Sequence, residues 1–300
     1  MITNQVSEVS DFYFALGKAK AFVEMLKVRL SFLVAFSCAF GYMLAVQGKV
    51  NIETLLMLTF GGFLMSGSSV CINQIIEKDL DKIMTRTCKR PLPTGRLTKT
   101  EVTIFAILCM LVSTWILWIY TNPLTVILSL VSVVLYGFVY TPLKRVGPVA
   151  VFIGAIPGAL PPLLGWVAAT GSISHEAMII FGIQFIWQFP HFWAIAWVAD
   201  DDYKKAGFKL LPSGGGKDLN TAIQIMTYTM FLIPLGLLPA KFGITGIDSA
   251  IVATVCGIAF FAQTFSLMKT GSRKSAVRIM FGSFLYLPIV QIAYLLDKVN

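Results

Sequence analysis

The sequence predicts an all-α polytopic membrane protein with nine transmembrane helices. Its 300 residues are 56% hydrophobic and only 13% charged, against roughly 25% charged for a soluble domain. The apolar residues form long uninterrupted blocks of about 18 or more, the length that reads as a membrane-spanning helix. The basic residues fall almost wholly on one side of those blocks.

The blocks run approximately 30–48, 54–75, 102–120, 124–141, 149–169, 177–198, 222–240, 247–267 and 279–296. With nine spans, the N-terminus and the segments after blocks two, four, six and eight share one side. That side carries 21 of the 24 lysines and arginines, and only Lys49, Lys241 and Lys298 lie opposite. Loops rich in Lys and Arg stay cytoplasmic. The N-terminus is therefore expected inside and the C-terminus outside, in a cell inner or plasma membrane. The net charge of +9 reflects these loops and their attraction to anionic lipid, and says little about nucleic acid. The first two dozen residues lack a short apolar core followed by a small-residue cleavage site, so no removable signal is expected. The cysteines at 38, 71, 88, 109 and 256 form no pair with metal-ligand spacing and read as small buried hydrophobes.

Residues 1–300 read as one membrane domain, with 1–25 a cytoplasmic N-terminal segment. The two longest polar stretches, 76–100 and 199–221, are both placed on the cytoplasmic side. Each opens with acids, turns basic and reaches a Leu-Pro pair, which suggests an internal duplication. Span five contains GAIPGALPPLLGW over 154–166. Its prolines bend the helix around a cavity, or its Gly and Ala residues pack closely against neighbours; both readings stay open.

The end of span two carries the first candidate site. Asn73, Glu77 and Asp81 are spaced i, i+4, i+8, so they share one helix face, each about 6 Å further along the axis. Asp79 falls on another face. Two carboxylates this close repel, and near hydrocarbon they are costly. A hard divalent cation removes that cost; Mg²⁺ takes oxygen ligands and often binds through one or two carboxylates plus substrate phosphates. Arg86, Lys89 and Arg90 follow within the next turns. Arginine offers paired hydrogen bonds to phosphate oxygens and lysine a point charge. Acid-held metal followed by basic residues suits a diphosphate, although a solvated charged loop would look similar.

A second acidic cluster ends span six: Asp200, Asp201 and Asp202, then Tyr203, Lys204 and Lys205. Consecutive residues fan about 100° apart on a helix, so at most two acids face one ion. Acids at a helix C-terminus oppose its dipole, which argues for a bound cation or a compensating lysine. His191 lies inside the same apolar span beside Phe189, Phe192 and Trp193. An intramembrane histidine is a functional candidate by default. It fits contact with an iron porphyrin, proton donation, or a plain hydrogen bond between helices. His175 falls in a short outer loop and reads as solvated.

The ladder Asn73-x3-Glu77-x3-Asp81 resembles the first signature of the UbiA-type intramembrane prenyltransferases. More narrowly, NQIIEKDLDKIMTRTCKRPLPTGR (73–96), YTPLKR (140–145), GAIPGALPPLLGW and QFPHFWAIAW…DDYKKAG…LLP (188–212) resemble the branch that farnesylates protoheme IX. The resemblance runs from about residue 25 to the C-terminus and is generic in spans seven to nine. It implies a helical bundle around a central cavity open laterally to lipid. The implied reaction moves a farnesyl group from farnesyl diphosphate to a vinyl group of heme b, adds water, and gives heme O and diphosphate. Glu77 departs from the aspartate of many wider relatives. The second motif lacks a clean Asp-x3-Asp pair and has the DYxxAG form instead, which leaves a second metal open.

Together these readings assign Mg²⁺ to Asn73, Glu77 and Asp81, with Asp201 and Asp202 as partial helpers. They assign the diphosphate to Arg86, Lys89, Arg90 and Lys144 or Lys204. They assign the heme, a substrate rather than a cofactor, to His191 and Trp193, with Trp193 or Phe192 also facing the allylic cation. Hand-off of product to a heme A synthase or terminal oxidase is a family expectation. A prenyltransferase acting on a phenolic or quinone ring, and a secondary transporter with broken helices, are the rivals.

Overall fold

The computed structural model describes residues 15–214 and 216–299. Among these, nine helices are long and apolar enough to cross a membrane. They are α1 (Val28–Ala45), α2 (Ile52–Ile76), α3 (Lys99–Tyr120), α4 (Pro123–Leu143), α5 (Val149–Thr170), α6 (His175–Val198), α7 (Leu219–Lys241), α8 (Ile247–Thr270) and α9 (Arg273–Leu296). The all-helical class and the number of spans match the sequence reading. Several helices start before their apolar blocks, because the cap and not the hydrocarbon edge fixes a helix start. Thr98 and Glu101 form a capping box at the head of α3. Ser272 accepts the Ser275 N–H at 3.2 Å, so α9 begins at Arg273, well ahead of the expected 279.

The helices form one bundle. α1 packs against α2 and α5, α2 against α3, α5 against α6, α6 against α7 and α9, and α8 against α7 and α9. Lipid tails provide no hydrophobic drive between helices, so close backbone approach and hydrogen bonds hold them. At the α1–α5 crossing, a Cβ on Gly41 would sit 2.0 Å from the Pro162 carbonyl oxygen, and one on Gly165 would sit 1.9 Å from that of Cys38. Only glycine fits at either place. The Gly and Pro of 154–166 therefore serve close packing. Pro157 and Pro161 also line the large cavity, so this stretch serves both purposes weighed above. Ser68 Oγ donates to the Ala106 carbonyl at 2.8 Å and Ser113 Oγ to that of Gly61 at 2.7 Å, stapling α2 to α3.

One end of the bundle is built differently. There, the short helices Lys78–Ile83 and Asp200–Lys205 and the turns of 84–97 close over the helix ends. Residues 15–25 are helical and lie against the start of α3. Lys18 pairs with Glu101, Phe22 packs on Phe105 at 4.9 Å, and Glu24 accepts from Arg96 at 2.7 Å. Residues 1–14 of the expected N-terminal segment lie outside the described residues.

Candidate active site

α2 ends at Ile76, and Glu77 is the joint before the short helix Lys78–Ile83. The backbone bonds Glu77 N–H to Asn73 O (2.9 Å) and Asp81 N–H to Glu77 O (2.7 Å) carry the four-residue register through the joint. Asn73, Glu77 and Asp81 thus line one pocket of about 140 Å³, and all three are buried. Asp79 points away, its side chain 79% exposed.

Buried carboxylates require partners, and each has one. Lys144 Nζ lies 2.8 Å from Glu77 Oε1, and Arg90 Nη1 lies 2.9 and 2.7 Å from the two oxygens of Asp81. Lys144 reaches Glu77 from the foot of α4, where a π-helical turn, Val134–Tyr140, precedes Pro142. Such turns re-aim side chains and occur often at functional sites. Thr141 Oγ1 donates to the Tyr136 carbonyl at 2.9 Å and accepts from Asn73 Nδ2 at 3.0 Å. Burial opposes the charge of Lys144, but Glu77 beside it more than offsets this, so its pKa is held above the usual lysine value.

The pocket also contains a residue the sequence reading missed, Lys27. It stands between the N-terminal helical segment and α1 with φ 45° and ψ 59°, the single non-glycine with positive φ among the described residues. That conformation costs an ordinary residue on the order of 1–2 kcal/mol, and strain of this kind gathers at functional sites. Burial, then the cations Arg90 and Lys144, push its pKa down to about 7. With Arg86, Arg90 and Lys144, it brings four basic side chains, three of them firmly charged, against two carboxylates. That excess makes an anion site. For a divalent ion, the donor set also fits. The Asn73 amide oxygen and one oxygen of Glu77 face the pocket without a donor among the described residues. Asp81 is free to ligate only once Arg90 turns to another anion.

The other predicted residues are placed differently. Lys89 is exposed and outside the pocket lining. Lys204 points outward to Asp200, 2.8 Å away, with its side chain 63% exposed. The second acidic cluster does not end a helix. α6 stops at Ala199, and the acids form the first turn of a new helix, Asp200–Lys205, where the dipole favours them. Each also meets lysine: Asp200 with Lys204 and Lys217, Asp201 with Lys217 at 3.6 Å, and Asp202 with Lys205 at 3.1 Å. The dipole argument for a cation there falls. Asp202 instead accepts the backbone N–H groups of Thr85 (3.1 Å) and Arg86 (3.0 Å). These bonds, the Arg86 one foremost, hold its carboxyl well below the usual range. Asp202 thereby clasps the 84–97 turns to the 199–221 stretch and sets Arg86 over the Tyr203 ring at the pocket mouth, 5.8 Å from its centroid.

Tyr136, Phe192 and Ile195 line both this pocket and a second cavity of about 350 Å³ that runs into the bundle. Its walls are mainly apolar, with Gln184, Gln188, His191 and Gln291 among them. Gln184 and Gln188 both donate to the Gly158 carbonyl, at 2.8 and 2.9 Å, and Gln291 donates to Gln184 at 3.0 Å. His191 Nδ1 lies 2.8 Å from Ser283 Oγ, and its ring stacks on Trp187 at 4.4 Å. Trp193 is not in the cavity. Two residues along a helix from His191, it lies about 200° around the axis and packs against Tyr228 of α7 at 5.0 Å. Phe192 is the aromatic that reaches the junction of the two spaces.

Residues 34–287 match the UbiA prenyltransferase family. A curated protoheme IX farnesyltransferase of Cytophaga hutchinsonii is 54% identical over 280 residues, covering 93% of this chain and 98% of that one. The fold is similar to a solved digeranylgeranylglyceryl phosphate synthase, with TM-score 0.77, 20% identity, and coverage of 93% of this chain and 98% of that one. It is also similar to a UbiA homolog from Archaeoglobus fulgidus bound to DMAPP and Mg²⁺, with TM-score 0.66, 16% identity, and coverage of 91% and 98%. The sequence ladder, the bundle of apolar helices and the family match agree: this chain belongs to the UbiA prenyltransferase family.

Proposed function

We propose that this chain transfers the farnesyl group of farnesyl diphosphate to a vinyl group of heme b with addition of water, giving heme O and diphosphate. One observation carries the reading: a cationic pocket sized for a diphosphate opens, through Tyr136, Phe192 and Ile195, into an apolar cavity that contains His191. The name borne by the relatives supports heme as acceptor over a phenolic ring. A transporter site lies near the membrane midplane, whereas here the charges gather at one end.

Lys27, Arg86, Arg90 and Lys144 receive the diphosphate and stabilise the charge that develops when the allylic C–O bond breaks. Asn73 and Glu77, joined by Asp81 once Arg90 turns to phosphate, would hold Mg²⁺, the ion bound with DMAPP in the Archaeoglobus homolog. A divalent ion there supplies further charge neutralisation of the leaving group. The apolar walls keep bulk water from the allylic cation, and the rings of Tyr136 and Phe192 offer it π faces. His191 contacts the porphyrin. Asp201 and Asp202 act outside the metal site, Asp202 as the clasp.

The charge asymmetry supports a cytoplasmic position for this end in a cell inner or plasma membrane, in a single domain with 76–100 and 199–221 as its active-site loops. Product passes to a heme A synthase or terminal oxidase. Expression in cells lacking the activity tests the reading: extracted heme gains the mass of farnesyl plus water. Unchanged heme overturns it.

A further inference from the structure

We propose that His191 is the base that takes the proton from the water added to the acceptor, with Ser283 as its positioning residue and Gln188 as the water's second anchor. The inference rests on the farnesyl-to-heme reading above.

Ser283 fixes the state of the ring. Its hydroxyl has one hydrogen, donated to the Met280 carbonyl at 2.7 Å. Toward His191 Nδ1, 2.8 Å away, it can therefore only accept, and the hydrogen in that contact belongs to Nδ1. A neutral imidazole with Nδ1–H keeps its lone pair on Nε2. The groups around the ring are Trp187 from its own helix, Phe284 of α9 at 4.8 Å and the neighbouring Phe192, with no carboxylate to favour a charged ring. Trp187 Nε1 donates to the Ser283 carbonyl at 3.0 Å, so the same serine holds the imidazole and the indole stacked on it. Nε2 has no partner among the described residues, and the ring lines the cavity.

Gln188 precedes His191 by one helical turn on the cavity side. Its amide nitrogen is bound to the Gly158 carbonyl at 2.9 Å, which leaves Oε1 without a donor. An aromatic nitrogen and an amide oxygen, both acceptors, suit a small molecule with two hydrogens to give. Water is that molecule. The place is also right. Phe192 and Ile195 border both spaces, so the carbon losing diphosphate is expected beside the turn of α6 that follows His191.

The step balances. The allylic C–O bond breaks and its electron pair leaves with diphosphate. The terminal vinyl carbon bonds to farnesyl C1, leaving a cation on the vinyl carbon next to the pyrrole. The water oxygen bonds there, and its proton moves to His191 Nε2 while Ser283 keeps Nδ1–H in place. Without a held water, the same cation loses a neighbouring proton and gives an alkene lighter by one water.

The product ratio tests this. Membranes containing wild type, His191→Ala, Gln188→Leu or Ser283→Ala are given farnesyl diphosphate, heme b and Mg²⁺. Diphosphate release and product masses are recorded together. The variants are expected to raise the ratio of dehydrated to hydroxylated product at least tenfold for His191→Ala and less for Ser283→Ala, with rescue by Ser283→Thr. Should His191→Ala release no diphosphate, the ratio in Gln188→Leu and Ser283→Ala decides. Slower variants with the wild-type ratio overturn the proposal, as does an altered absorption band of bound heme with an unaltered ratio, which marks His191 as an iron ligand. A wild type that consumes no heme instead overturns the farnesyl-to-heme reading itself.

Discussion

At the charged end of the cavity, each buried acid has its own cation, Glu77 with Lys144 and Asp81 with Arg90. In the apolar depth, the polar side chains bond only to amides, hydroxyls and backbone: Gln184 and Gln188 to Gly158, Gln291 to Gln184, His191 to Ser283. The two regions meet at Tyr136, Phe192 and Ile195. The difference follows from what each must do. Ion pairs can exchange partners when a diphosphate and a metal arrive together, and until then they leave no buried carboxylate unpaired. Amide and hydroxyl bonds have no such exchange to make, and they hold their groups fixed beside a reactive cation.

Breaking a pair at the charged end should produce the largest effects. Arg90→Met leaves Asp81 buried without a counter-charge, which costs roughly 3–5 kcal/mol; thermal unfolding in detergent should show that loss along with lost activity. Next in size is the clasp. Asp202→Asn weakens the hold on the Thr85 and Arg86 amides, and the KM for farnesyl diphosphate should rise roughly tenfold, the scale of one charge-assisted hydrogen bond. Asp201→Asn, at a side chain 89% exposed, should stay within about twofold, as surface substitutions do. A Mg²⁺ requirement altered by either variant would restore a second metal site.

The charged end also gives a pH dependence, from Lys27. Its pKa of about 7, against 10.5 when free, means that the folded pocket holds this lysine neutral above pH 7. A bound diphosphate favours the cation, so binding takes up a proton there. KM should be flat below pH 7 and rise above it by at most about tenfold per pH unit, the limit for one proton. Lys27→Met should raise KM and flatten the profile. Stability has the opposite sign. Between pH 7 and 10.5 the unfolded chain binds the proton and the folded chain does not, so stability from this group increases with pH across that window.

Much of this division was legible in the sequence. The Asn73, Glu77, Asp81 spacing is the period of a helix, and the backbone keeps that period through the joint at Glu77. Of the three lysines that the sequence offers the diphosphate, Lys89, Lys144 and Lys204, the pocket contains Lys144. Other features left no periodic trace. Lys27 looks like any basic residue flanking a span; its left-handed backbone, the true signal, carries no glycine to mark it. The break at Ala199 has neither Gly nor Pro, so the acids of 200–202 read as a helix end when they begin a helix. α6, by contrast, does carry a trace: Gln184, Gln188 and His191 are spaced i, i+4, i+7, and Phe192, not Trp193, continues that face toward the cavity.

The central claim is that the charged end governs release of diphosphate, with Glu77 at its centre. Glu77→Gln keeps the shape of the side chain and removes its charge, so Lys144 loses its counter-ion. Diphosphate release and heme O formation are measured in the same membranes with Mg²⁺ present. The account predicts that both fall together by roughly 10²-fold or more, the scale of losing one preorganised electrostatic group. Heme O formed by Glu77→Gln at the wild-type rate would contradict it.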